Sequence, residues 1–312
     1  MPAVTKTLEY RRARFNENNI NLEMLTRAAW AMFPTHMERS VPGSNHATVT
    51  GLQGRDFGTL GFAIHGARYH AGQGVGIIPM VPSTTVELGE RPPEDGENFL
   101  SSDFLALIKD NHLICLNCGR GGGALRAYLS NLIAKSGRPP VDQQFELNRV
   151  ARPKHFEMLR KVGVAHVDMR INLKAATLDV LEENSGRPVG FWGAIRQQVG
   201  ELVATMARKD SEIGNLRDAE NGYVTVSIDL QKRDITRARH GMDRLASELV
   251  EDDEADDYVI RLKDSTKITP NEMSVQKLVK LEARANSVGV GQAWEAMCRY
   301  VKDLDEVGQL RV

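Results

Sequence analysis

The sequence predicts an α/β chain of the α+β kind, in two lobes, with mixed or antiparallel sheets flanked by helices. Three observations predict it. Stretches with apolar residues at helical spacing interleave with short alternating or β-branched stretches. Hydrophobic residues make up 41% of the 312 and charged residues 26%, which is enough to pack a core and too much to leave the chain disordered. A connector, Arg138-Pro139-Pro140, separates two runs of such elements and places a boundary near residue 150. The expected lobes are 1–150, strand-rich with helices, and 151–312, α/β.

The elements follow in chain order. Arg11, Arg12 and Arg14 open a basic run, and Leu22, Leu25, Ala28, Ala29 and Phe33 then recur at helical spacing until Pro34. Residues 43–82 carry frequent glycines and β-branched pieces, so several short strands of an antiparallel sheet are expected. ELGERPPEDGEN (87–98) is a surface loop. FLSSDFLALIKD is expected to be a short helix, HLICLNCGR a strand, and GGGALRAYLSNLIAKSG a helix closed by Gly137. In the second lobe, HFEMLRKVG is a helix, VAHVDMRINL a strand and GFWGAIRQQVGELVATMARKDSEI an amphipathic helix. YVTVSIDL (223–230) is the cleanest strand, ITRARHGMDRLASELV a helix and YVIRLKD a strand. SVQKLVKLEARANS and QAWEAMCRYVKDLDEVGQL are expected to be helices.

Several function classes find no support. The N-terminus has no apolar h-region, and no stretch approaches a membrane span, so a cytoplasmic chain without membrane insertion is expected. Three cysteines form no disulfide framework. Cys115-Leu-Asn-Cys118 with His112 resembles half of a zinc site, but a second ligand pair is missing, and on a strand the two thiols would point to opposite faces. Gly119-Arg120-Gly121-Gly122-Gly123 stands where a phosphate loop would, without the Gly-Lys-Ser/Thr such a loop uses. His65 and His70 fall in a glycine-rich hairpin region. Asp229 and Lys232 come nearest to a nuclease carboxylate–lysine pair, with no earlier acidic partner in view. The acidic run 251–257 lacks the glycine of a calcium loop. No cofactor or metal is expected, and no catalytic residue is assigned.

Basic clustering is the stronger signal. The chain is nearly neutral, with 40 basic and 41 acidic residues, yet residues 111–170 hold ten Lys/Arg against four Asp/Glu. Arg120, Arg126, Arg149, Arg152 and Lys154 belong to this segment. A second cluster, Lys232, Arg233, Arg237, Arg239 and His240, runs from a strand end into a helix. There Arg233, Arg237, His240 and Arg244 share one face. Guanidinium groups on one face suit backbone phosphates.

In this order of pieces the chain resembles the RexA-like phage-exclusion proteins and their distant relatives in bacterial phage defence. The likeness runs from a strand-rich N-terminal region through FLSSDFLALIKDNHLICLNCGRGGGALRAYLSNL to an α/β half. Its most specific part is Lys232-Arg233-Asp234-Ile235 at the strand–helix junction, followed by EDDEADDYVIRLKDSTKIT. The resemblance implies a homodimer that binds double-stranded DNA without strong sequence preference, acting in phage exclusion or antiphage defence. A second defence-system protein is a further expected partner. Two alternatives stand beside this reading: a divergent metal-dependent nuclease acting on bound DNA, and a protein-sensing subunit of a defence complex.

Overall fold

The computed structural model describes residues 2–17, 19–43, 46–77, 89–118, 122–172, 194–195, 197–199, 201–202, 205, 223–229, 241–246, 249 and 258–310. The chain is α+β, as its patterning predicts. It divides into two units, Met1–Asn148 with Gln276–Val312, and Arg149–Val275. The C-terminal stretch, expected in the second lobe, therefore belongs to the first unit.

The first unit is built on one long antiparallel sheet. Strand β1 (Ala3–Phe15) supplies its frame, pairing along Ala3–Glu9 with β14 (Gln276–Arg284) and along Glu9–Arg12 with β8 (His112–Leu116). From β8 the sheet continues through β7 (Ser102–Lys109), β4 (Phe62–Tyr69) and β3 (Thr48–Asp56) to β2 (Ser40–Pro42). β15 (Ser287–Val288) extends the β14 end, and β9 (Phe145–Arg149) also pairs with β1. A separate ribbon joins β5 (Val75–Ile77) to β6 (Gly89–Arg91).

Two expected helices are strands here. DFLALIK lies in β7, where nearly every residue is buried. Helices α1 (Leu22–Met32) and α2 (Gly123–Lys135) pack with Phe104, Ala106 and Ile108 on one face. Leu105 and Leu107 are buried on the other face, which holds the C-terminal helix. A strand covered on both faces reads as a continuous apolar run, and periodicity cannot separate that from a buried helix. QKLVKLEAR (β14) has good helix formers, but seven of its residues are held in register against β1. Tertiary pairing overrides propensity there.

Gly51 and Gly61 stand where neighbouring atoms leave no room for a side chain. A Cβ on Gly51 would stand 2.5 Å from the Trp30 ring and 2.3 Å from the Tyr128 hydroxyl, so the indole packs on bare backbone. Gly61 has φ 114°, and its Cβ would lie 2.2 Å from the Ile108 carbonyl oxygen. Gly61→Ala should destabilise the protein by more than about 2 kcal/mol, since backbone strain and a backbone clash add. Urea unfolding checks this, and an unchanged midpoint would contradict the geometry.

The second unit is a four-stranded antiparallel sheet in the order β11 (Tyr223–Asp229), β10 (Val164–Asn172), β12 (Tyr258–Leu262) and β13 (Lys267–Ile268). Helix α4 (Pro153–Val162) precedes it, after the single turn α3 (Pro140–Gln143) of the first unit, and another single turn, α5 (Pro270–Met273), follows it. Val167, Met169, Ile171, Tyr258, Ile260 and Leu262 form its core with Leu159 of α4 and with Met242, Leu245, Ala246 and Leu249. Residues 241–246 are helical, as expected. The final helix, α6 (Val290–Glu306), returns to the first unit and buries Trp294, Met297, Val301 and Leu304.

Candidate nucleic-acid interface

The alternation that buries one face of the second unit's sheet turns the other outward. On β10 the outward positions are His166, Asp168 and Arg170, and on β11 they are Tyr223, Thr225, Ser227 and Asp229. Arg261 of β12 sits opposite His166, and Lys267 of β13 sits opposite Arg261. Thr225, Ser227, Asp229, Arg170, Arg261 and Lys267 are exposed. The Arg170 guanidinium lies over the Tyr223 ring, 5.3 Å from its centroid. An antiparallel sheet with one face packed and the other turned outward is a platform, and among the described residues this one carries Arg170, Arg261, Lys267 and an aromatic ring.

At the centre of that face His166 is held between two carboxylates. Its Nδ1 contacts Asp229 Oδ1, and its Nε2 lies 2.8 Å from Asp168 Oδ1. The Ser227 hydroxyl donates to Asp168 Oδ1 at 2.6 Å, and Arg261 lies 3.8 Å from Asp168 Oδ2. Partial burial works against a charged ring, but the bonds to Asp229 and Asp168 outweigh it and raise the His166 pKa. The Ser227 bond leads in lowering that of Asp168. Asp168 is thus the earlier acidic partner that the sequence did not show for Asp229. The two carboxylates do not converge on a common point, because they sit on opposite nitrogens of one imidazole. An ion bound through either nitrogen would meet only one of them, and among the described residues no His/Cys/Asp/Glu group is arranged to hold a metal.

The residues singled out from the sequence scatter. Lys232, Arg233, Arg237, Arg239 and Arg120 lie outside the described residues, as do His240 and the acidic run 251–257. Arg126 is on α2 of the first unit. Arg149 ends β9, Arg152 and Lys154 follow it at the start of α4, and all three fall in the second unit. Arg152 is the N-cap residue there, and its Nε donates to the Ser274 carbonyl at 3.1 Å, so part of its capacity is structural. Arg11, from the basic run at the start of the chain, is buried and bonds Glu9 and the Leu147 carbonyl. Arg12 and Arg14 are exposed. Arg244 is exposed on the helix that buries Met242 and Leu245. Arg261 and Lys267 escaped sequence reasoning, although the alternation of YVIRL points Arg261 away from Tyr258, Ile260 and Leu262.

The other motifs resolve into packing. Gly119–Gly121 lie outside the described residues, and Gly122 caps α2 with φ 71°. A cavity of about 240 Å³ lies beside this helix start, lined by residues that include Arg68, Asp103, Asn117 and Asn286. Cys115 and Cys118 share the first unit's core rather than opposing faces. The strand ends at Leu116, and Asn117 turns the chain with φ 57°, so alternation does not extend to Cys118. Burial, then the neighbouring Cys115 thiol, pushes the Cys118 pKa up, which suits a packed thiol rather than a reactive one. His65 is a buried β4 residue whose Nε2 donates to Asp103 at 3.2 Å.

Compared with models of known protein families and with curated proteins, the chain finds no match. Among the described residues no helix is long and apolar enough to cross a membrane.

Proposed function

We propose that this protein binds duplex DNA without strong sequence preference, as a homodimer, in phage exclusion or antiphage defence. The observation that carries the binding reading is the outward face of the second unit's sheet, where Arg170, Arg261 and Lys267 stand exposed around a polar centre. Two sequence features support it: the basic excess over residues 111–170, and the cluster from Lys232 to Arg239, which begins three residues beyond the end of β11. Such charges contact phosphates rather than base edges, which favours affinity without sequence readout. The defence setting and the dimer rest on the RexA-like resemblance.

A mobility-shift titration with random-sequence duplex tests this. Binding at about micromolar affinity or better is expected at low salt, falling by orders of magnitude between roughly 50 and 200 mM salt. The variant with Lys232, Arg233, Arg237 and Arg239 all changed to Ala should lose most of that affinity. No shift at low salt would remove the proposal and favour a protein-sensing role. Mg²⁺-dependent nicking of plasmid would favour the nuclease.

A further inference from the structure

We propose that His166 is a proton switch that sets the charge of the outward face of the second unit's sheet, and through it the affinity of that face for a polyanion. The last step rests on the nucleic-acid reading above, whereas the switch itself does not.

The His166 Nδ1 meets Asp229 and its Nε2 meets Asp168, so both ring nitrogens face carboxylate oxygens. A neutral imidazole has one N–H and one lone pair, and a lone pair set against a carboxylate is repulsive. Only the imidazolium donates to both partners. The arrangement is cross-strand as well as local. His166 and Asp229 are direct partners across β10 and β11, while Asp168 is two residues along β10, on the same face.

Each strand brings its own charges to that face, counted among the described residues. β10 contributes Asp168 and Arg170, β11 contributes Asp229 with the Ser227 hydroxyl, β12 contributes Arg261, and β13 contributes Lys267 beside it. Three fixed cations therefore stand against two carboxylates. With His166 protonated the face carries a net charge of about +2, and without the proton about +1. Loss of the proton also frees one carboxylate from its donor, in the middle of the cations. Phosphates drawn to the face would meet that carboxylate directly. DNA should then hold the proton on, and the proton should hold DNA on, by the same factor.

The test has two independent readouts. The His166 imidazole resonance in the free protein, followed by NMR against pH, should titrate above the ordinary histidine value of about 6.5. Asp229→Asn should move that midpoint down, because one carboxylate is lost. In parallel, affinity for random-sequence duplex at constant ionic strength should fall about 3- to 10-fold as pH rises through the wild-type midpoint, one proton being linked. H166Q should show no such step, and D229N should show it at lower pH. A ring titrating at or below the ordinary value overturns the clamp. A step that persists in H166Q overturns His166 as its source. Wild-type affinity that is flat with pH overturns the link while leaving the proposed function standing. Absence of duplex binding at any pH removes the proposed function and the affinity step together, and the imidazole titration still decides the clamp.

Discussion

Asp103→Ala should cost the first unit roughly 2–4 kcal/mol, since each buried donor left without its acceptor costs about 1–3 kcal/mol. The Asp103 side chain is 1% exposed and accepts three bonds. His65 Nε2 donates to Oδ2 at 3.2 Å, the Ser287 hydroxyl donates to the same oxygen, and Asn117 Nδ2 donates to Oδ1 at 3.4 Å. One carboxylate thereby ties β7 to β4, to the residue after β8 and to β15, far away in the chain. Alanine leaves these donors without their acceptor. Asp103→Asn keeps one acceptor oxygen and should cost less. Burial alone would raise the Asp103 pKa, but the bonds from His65 and Ser287 outweigh it and the net shift is downward. A depressed carboxylate contributes stability that is present above its unfolded-state pKa. That contribution disappears as pH falls through the folded-state value, so it should be lost below about pH 4. Urea midpoints at neutral and acid pH test both statements. An Asp103→Ala midpoint within error of wild type at neutral pH would show that the network does not hold the sheet together.

Legibility in the sequence differs from element to element. YVTVSIDL and VAHVDMRINL are half-buried strands, and their alternation states both their type and which residues face out. α2 and α6 announce themselves by helical spacing. β7 does not, because burial on both faces erases the period. β14 does not, because what makes it a strand is β1, some 270 residues away in the chain. The same distance problem hides the candidate site. Arg261 and Lys267 look like scattered charges until strand pairing sets Arg261 beside His166. Asp168 and Asp229 are 61 residues apart in sequence and meet only across the β10–β11 ladder. Local basic clustering finds Arg149, Arg152 and Lys154, which adjoin in sequence. It also draws in Arg126, which the fold assigns to the other unit.

Replacing Arg170, Arg261 and Lys267 together by Gln should lower low-salt affinity for random-sequence duplex by on the order of a thousandfold. Each phosphate contact is worth roughly a factor of ten at low salt, judged from a salt slope of about 0.9 per contact. The log–log salt slope should become shallower by about 2.7, three contacts' worth. The fold should tolerate the change, because all three side chains are exposed, and such positions usually shift stability by about 0.5 kcal/mol or less. Glutamine keeps much of the aliphatic stem of each, including the stem of Arg170 beside Tyr223. One secondary effect is expected. Arg261 stands 3.8 Å from Asp168, and its loss leaves His166 as the main positive partner of that carboxylate. The imidazolium should then be held more tightly, so the pH step in any residual binding should move upward. Set beside the variant at Lys232, Arg233, Arg237 and Arg239, the triple variant locates the contact surface. If the triple variant loses affinity and the quadruple does not, phosphates lie on the sheet face. The reverse result puts them on the segment after β11. If both bind as wild type does, neither surface carries the contacts. They must then be sought at Arg149, Arg152 and Lys154, between the end of β9 and the first turn of α4, or at Arg120 and Arg126.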